Sequence, residues 1–284
     1  MGEEENPLRV VTLMDNTARE GLLAEWGLSF LIEYRGGKYL LDAGSSDRFA
    51  RNCDALGIDL AQVDAAVLSH AHYDHSGGLE TFCMRNDHAP IYMRAEVGEN
   101  CYSRHGLRKV YIGVQKGFLD QWRARIVRVE GDCAIADGML LLPHKLPDME
   151  RRGRRAHLYL RQGWRFRPDD FRHEQSLVVD TPEGLVILNS CSHGGVDAIL
   201  EEVRATFPAR PIRAMAGGFH LFRSSPDQVR ALGRRLAEMD VPDLYTGHCT
   251  GRQAMEILSE ILPGKVHPLE SGSVFEFNDG GSAL

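Results

Sequence analysis

The chain has 284 residues, 43% of them hydrophobic, enough to bury a full core without help from disulfides. Acidic residues outnumber basic ones, 40 to 33, and a net charge of -7 counts against a general nucleic-acid binder, which is ordinarily basic. The six cysteines are scattered with no CxxC pair, the N-terminus lacks the basic and apolar regions of a secretory signal, and no apolar run approaches the ~20 residues of a membrane span; the expectation is a soluble cytoplasmic protein with reduced thiols.

Val10 to Met14 is a short apolar run. Leu28 to Tyr34 and Lys38 to Asp42 flank Arg35-Gly36-Gly37 and read as a hairpin. Ser45-Ser46-Asp47 offers N-cap chemistry for a helix through about Leu56, and Val63 to Leu68 reads as a buried strand. That strand runs into His70-Ala71-His72-Tyr73-Asp74-His75, which Gly77-Gly78 closes. In the second half, Gln175 to Asp180 and Leu185 to Asn189 predict another hairpin, followed by Cys191-Ser192-His193 and a helix over Val196 to Thr206. Ile212 to Ala216 is a strand leading to Gly217-Gly218-Phe219-His220, and Pro226 to Met239 is a helix. Asp243 to Tyr245 ends at Thr246-Gly247-His248-Cys249, Arg252 to Leu262 is helical, and Val266 to Pro268 and Val274 to Phe277 close the chain as strands.

Two runs of hairpin, strand and helix, each with histidines where a strand ends, predict two sheets packed face to face with helices outside. The whole chain, 1–284, is expected to form one domain. Residues from about 95 to 172 interrupt the pattern and read as an insertion or lid.

Four potential ligands fall within six positions at His70, His72, Asp74 and His75. Residues two apart on an extended strand end point the same way, so His70 and His72 can reach one ion. A turn after His72 would aim Asp74 and His75 at a second. Imidazole and carboxylate suit zinc, with manganese or iron as alternatives.

The run from His70 to His75 resembles the HxHxDH signature of the metallo-β-lactamase superfamily, and Asp42, His193 and His248 extend the resemblance over most of the chain. The stretch DDFRHEQSL ending at Leu177, with Cys191-Ser192-His193, Gly217-Gly218-Phe219-His220-Leu221 and Thr246-Gly247-His248-Cys249-Thr250-Gly251, is similar to one branch of it. That branch carries the name dihydropterin-ribofuranosylaminobenzene-phosphate synthase and otherwise holds uncharacterised metal-dependent hydrolases. The resemblance implies an αββα sandwich of two mixed β-sheets flanked by helices. It assigns His70, His72 and His193 to one divalent ion and Asp74, His75 and His248 to a second. Many members carry a bridging aspartate after the strand that here ends in Gly217-Gly218-Phe219-His220. No acid stands there, which leaves His220 as a candidate ligand or a hydrogen-bonded core residue.

Asp42 is expected either to orient a ligating imidazole or to cap the following helix. Asp74, His173 and Glu174 are the catalytic candidates, the last two as an acid beside an imidazole or as a plain strand-edge pair. Cys191 and Cys249, each near a ligand histidine, can bind a soft metal or simply be buried small residues. Eight arginines fall between 145 and 172; of these, Arg151, Arg152, Arg154 and Arg155 are candidates for binding an anionic small-molecule substrate, against the alternative of a solvated charged face. The leading expectation is a metal-dependent hydrolase acting on a phosphate-ester-like substrate. Transfer of a dihydropterin-methyl group to an aryl amine, and a catalytically quiet metal-binding sensor, are the alternatives. The sequence leaves the oligomeric state open.

Overall fold

A computed structural model describes residues 7–277. Alternation within single strands explains its layers. Phe30 and Ile32 point into one apolar cluster and Leu31 into another; Val186 and Leu188 share the first cluster, while Ile187 enters a third. A strand with apolar residues on both faces needs cover on both. The shared cluster is therefore the seam between two sheets, and the outer clusters lie under helices.

One sheet has seven strands, in spatial order Val274–Phe277, Leu8–Met14, Ser29–Tyr34, Gly37–Leu41, Ala65–Val67, Ile91–Arg94 and Ile126–Val129. The other runs Val266–Pro268, Asp243–Thr246, Ile212–Gly218, Gly184–Cys191, Gln175–Thr181, Met139–Pro143 and Cys133–Ala136. Both are mixed: Gly37–Leu41 pairs parallel with Ala65–Val67, and Gly184–Cys191, Ile212–Gly218 and Asp243–Thr246 form a parallel run. The helix Arg48–Leu56 covers the first sheet through Phe49, Ala50 and Cys53. The helices Val196–Thr206, Pro226–Glu238 and Arg252–Ile261 cover the second through residues such as Ile199, Leu232 and Leu258. This is the αββα arrangement expected from the sequence.

The stretch 95–172 is not one insertion. Cys101–His105, Arg108–Tyr111, Leu158–Gln162 and Arg165–Pro168 form a separate four-stranded sheet. Between them, Ile126–Val129 extends the first main sheet, and Cys133–Ala136 and Met139–Pro143 extend the second. The apolar run Met139-Leu140-Leu141-Leu142 needs burial that a lid cannot give, and it finds that burial against Leu177 and Val178. The helix Met149–Ala156 leads into the small sheet. No helix among the described residues is long and apolar enough to cross a membrane.

Candidate metal centre

The parallel strands all end on one side, and the polar residues gather there, as ligands do at strand ends in other open sheets. Gly37–Leu41 delivers Asp42, Ala65–Val67 delivers the run from Ser69, Gly184–Cys191 delivers Cys191 and His193, Ile212–Gly218 delivers His220, and Asp243–Thr246 delivers His248. The chain turns at His72 into the helical turn Tyr73–Ser76. His70, His72, His75, His193 and His248 are all buried, and Asp74 is nearly so. The rings of His70, His72 and His193 lie 4.7 to 5.1 Å apart, centre to centre.

Hydrogen bonds fix which nitrogen of each ring stays free. Asp42 is fully buried and accepts from the Ser69 amide at 2.7 Å, from Ser69 Oγ at 2.6 Å and from His75 Nδ1 at 2.8 Å. Because Ser69 Oγ spends its proton on Asp42, it accepts from His70 Nδ1 at 2.8 Å. One carboxylate thus orients two imidazoles. The helix that follows has Asp47 at its N-cap position, so Asp42 does not cap it, and its carboxylate is spent on Ser69 and His75. Glu174 bonds His193 Nδ1, and Asn16 Oδ1 accepts from His248 Nδ1 at 3.1 Å. Four rings therefore present Nε2. His72 is reversed: its Nε2 lies 3.9 Å from Asp169 Oδ2.

The presented atoms lack ordinary partners. His70 Nε2 is buried with none. His75 Nε2 and His248 Nε2 face each other at 3.3 Å, with Asp74 Oδ2 at 3.9 and 3.4 Å. Two lone pairs at that distance repel unless a proton or a cation lies by them. Burial opposes a charge on His248, but Cys249, Asp74 and Asp15 outweigh it and push the ring up to about 9. Burial likewise opposes a charge on His72, and Asp169 and Cys101 raise it to about 9. A divalent ion at this cluster would take the place of the protons that these two rings favour. Burial and the neighbouring rings hold His70 well below its ordinary value. Burial, with His220 and His72, brings His193 down to about 4 despite Glu174. Asp74 resists burial because His75 and His248 keep it ionised well below the usual carboxylate range.

Two of the expected catalytic residues lie elsewhere. Glu174 is buried behind His193, where its carboxylate is committed to that ring. His173 is buried behind His70 and His72; it accepts from the Ala71 amide at Nδ1 and reaches Asp169 from Nε2 at 3.1 Å. Neither lines the cleft, because the backbone from Asp169 to Gln175 passes beneath the histidine cluster. Asp74 does line it, with Trp26 Nε1 donating to its Oδ2 at 2.9 Å.

The cleft over these residues measures about 560 Å³. Trp26, Tyr73 and Phe222 form a half-exposed aromatic edge, and Arg104, Arg152, Arg155 and Arg223 also line it. The arginine helix divides. Arg152 and Arg155 face the cleft over the histidines, while Arg151 and Arg154 line a separate cavity of about 860 Å³ with Arg94 and Lys145. Gly153 lets the helix sit this close: a Cβ there would meet Asp169 O at 2.2 Å. His220 lies at the cleft wall with its ring 4.5 Å from that of His193, and its Nδ1 is buried without a partner. Cys191 and Cys249 are buried with their sulfurs 3.1 Å apart.

Asp15, Asn16, Trp26 and Cys101 were not anticipated from the sequence, and Asp169 stood there only as the first residue of DDFRHEQSL, with no role given to it. Each is a polar, aromatic or thiol residue outside any periodic pattern. Only Asn16, closing a strand as Met14-Asp15-Asn16, carried a signal, and that signal equally marks an ordinary turn.

The family model described as the Metallo-beta-lactamase superfamily matches residues 27–207. A 7,8-dihydropterin-6-methyl-4-(beta-D-ribofuranosyl)-aminobenzene-5'-phosphate synthase of Methanocaldococcus jannaschii is 24% identical, over 98% of this chain and 99% of its own. Among solved structures, Tm1679, titled a metal-dependent hydrolase of the beta-lactamase superfamily, is 31% identical with a TM-score of 0.81, covering 96% of this chain and 100% of that one. The metallo-beta-lactamase fold protein YhfI from Bacillus subtilis, 13% identical, shares the fold with a TM-score of 0.60 over 96% of this chain and 100% of its own.

Proposed function

The chain belongs to the metallo-β-lactamase superfamily, and from that premise we propose that it is a metal-dependent hydrolase of a small anionic substrate such as a phosphate ester. The observation that carries this reading is a set of imidazole rings anchored by hydrogen bonds on the far side, which leave His70 Nε2 buried without a partner and turn His75 Nε2 and His248 Nε2 toward each other. His70, His72 and His193 would hold one ion, and Asp74, His75 and His248 a second. Zinc suits this nitrogen and carboxylate set, with manganese or iron as alternatives. When bound, such ions supply Lewis acidity and lower the pKa of water from near 16 to about 7.

The chain's own groups do the rest. Arg152, Arg155 and Arg223 have no carboxylate partner among the described residues, so their charge is available to an anion, and guanidinium forks match phosphate oxygens two at a time. Trp26, Tyr73 and Phe222 offer an apolar edge for the rest of the substrate. Asp74 stays ionised and, with Trp26 fixing one oxygen, can accept a hydrogen bond from attacking water on the other and so orient it. Glu174 and Asp42 act as positioning residues.

The test is hydrolysis of a panel of phosphate mono- and diesters before and after chelation, with His72→Ala alongside. We expect turnover that is lost on chelation, restored by zinc or manganese, and absent from the folded variant. Turnover unaffected by chelation would refute the reading. The near full-length match to the synthase favours a second one: a C–N bond forms to an aryl amine as diphosphate leaves from a dihydropterin-methyl donor. A coupled product from a pterin diphosphate and an aminobenzoate, with no ester hydrolysis, would select it. Binding of metal with neither activity would leave the sensor role.

A further inference from the structure

The strand that runs into Gly217-Gly218-Phe219-His220 brings no acid to the site, and its last position is closed. A Cβ on Gly218 would meet Cys249 Sγ at 2.4 Å and Ser190 O at 2.9 Å, so the strand end Ile212–Gly218 has no room for a side chain there. Sulfur fills that space. Cys191 closes the neighbouring strand, paired with Gly218 and followed by a bond from Ser192 N to Gly218 O at 2.9 Å, so its side chain is held by the sheet.

We propose that the Cys191 thiolate is a metal ligand bridging the two ion positions, in place of the missing carboxylate. The inference rests on the metal reading above. Cys191 Sγ shares one ligand-sized group with His70 and His193, and another with His75 and His248; within each group all ligand atoms lie within 4.8 Å of one another. The first pair belongs to one ion and the second pair to the other. His75 Nε2 is 3.4 Å from the sulfur. Two metal–sulfur bonds of about 2.3 Å span ions about 3.5–4 Å apart, so a single sulfur can touch both.

Charge argues the same way. Five neutral imidazoles and Asp74 bring one negative charge to two dications, and a thiolate brings a second where the ions repel most. On binding, the thiol gives its proton to solvent and both metal–sulfur bonds form, with no change of oxidation state. Cys249 lies farther out, grouped with Cys191 and His220. Its place in this scheme is to hydrogen-bond the bridging sulfur, not to ligate.

The test uses the full chain loaded with cobalt(II) or zinc. Cobalt protein should show visible d–d bands and a near-ultraviolet thiolate-to-cobalt band. Cys191→Ser should lose the second feature, keep the first, and bind its second cobalt at least about tenfold more weakly; Cys249→Ser should keep both features. X-ray absorption of the unaltered zinc protein needs no variant. About one sulfur per zinc near 2.3 Å supports a bridge, while half a sulfur per zinc means terminal ligation and overturns it. Absence of sulfur, or a charge-transfer band that survives Cys191→Ser and vanishes in Cys249→Ser, also overturns it while leaving the metal reading intact. Failure to bind either metal overturns both.

Discussion

Asp42→Asn offers a sharp test, because the substitution is isosteric and reverses protons without opening a cavity. The Asn oxygen can still accept from the Ser69 amide, as Asp42 Oδ1 does at 2.7 Å. Its NH2 then takes the place of Oδ2, facing Ser69 Oγ and His75 Nδ1. It donates to both. His75 must accept at Nδ1 and carry its proton on Nε2. Ser69, no longer donating to a carboxylate, turns its hydroxyl proton to His70 Nδ1, and that ring reverses as well. To bind an ion, each ring must return to the original tautomer and set N–H against a donor, losing a buried hydrogen bond worth about 1–3 kcal/mol. At 1.4 kcal/mol per factor of ten, each ion should bind about 5- to 150-fold more weakly. The metal-free fold should lose no more than about 1 kcal/mol, since every group keeps a partner. Zinc competition against a chromophoric chelator gives both affinities, and thermal melts in chelator give the stability. Two zinc ions held at unaltered affinity would refute the proton relay and, with it, the assignment of Nε2 as the binding atom of His70 and His75.

Glu174→Gln should weaken only one ion, by about 10- to 100-fold, because its carboxylate reaches His193 alone among the proposed ligands; equal loss of both ions in a zinc titration would contradict this. Zinc binding at pH 7.5 should release at least about two protons per chain, since His72 and His248 lie near 9 and are protonated at that pH before an ion displaces the proton. Affinity should therefore fall as pH drops below 9; a binding enthalpy independent of the buffer's ionisation enthalpy would show that no proton leaves. The double variant Arg152→Gln, Arg155→Gln should raise KM for an anionic substrate about 10- to 100-fold with metal content unchanged, whereas Arg151→Gln, Arg154→Gln, in the other cavity, should leave KM alone. Gly153→Ala should destabilise the chain by about 1–3 kcal/mol in thermal melts, because its Cβ collides with a backbone oxygen; an unchanged melting temperature would mean that the arginine helix is free to shift.

The candidate ligand cluster was legible because four potential ligands fall within six positions at one strand end, from His70 to His75. Strands such as Gln175–Thr181 were legible because both faces are apolar. The partners behind these candidate ligands were not. Asn16 meets His248 across 232 positions, and Asp169 meets His72 only because the chain from Asp169 to Gln175 dives under the site. The segment 95–172 misled for a related reason. Its main-sheet strands are short and separated by exposed hairpins, so local alternation could not tell an edge strand from a lid. His173 and Glu174 had the right chemistry, but their depth was set by strands far away in sequence.

The cluster from Ser69 to His75 hangs from the first sheet, while Cys191, His193, His220 and His248 hang from the second. Ions gripping both sets would act as rivets through the seam, adding to the apolar contact and to hydrogen bonds such as Gln175 Nε2 to Leu68 O that already join the layers. Neither half of the chain owns a complete ligand set, so a fragment could not load metal by itself. Cation supply would then govern how long the intact molecule survives a protease, gaining RT ln(1 + [M]/Kd) against sheet separation.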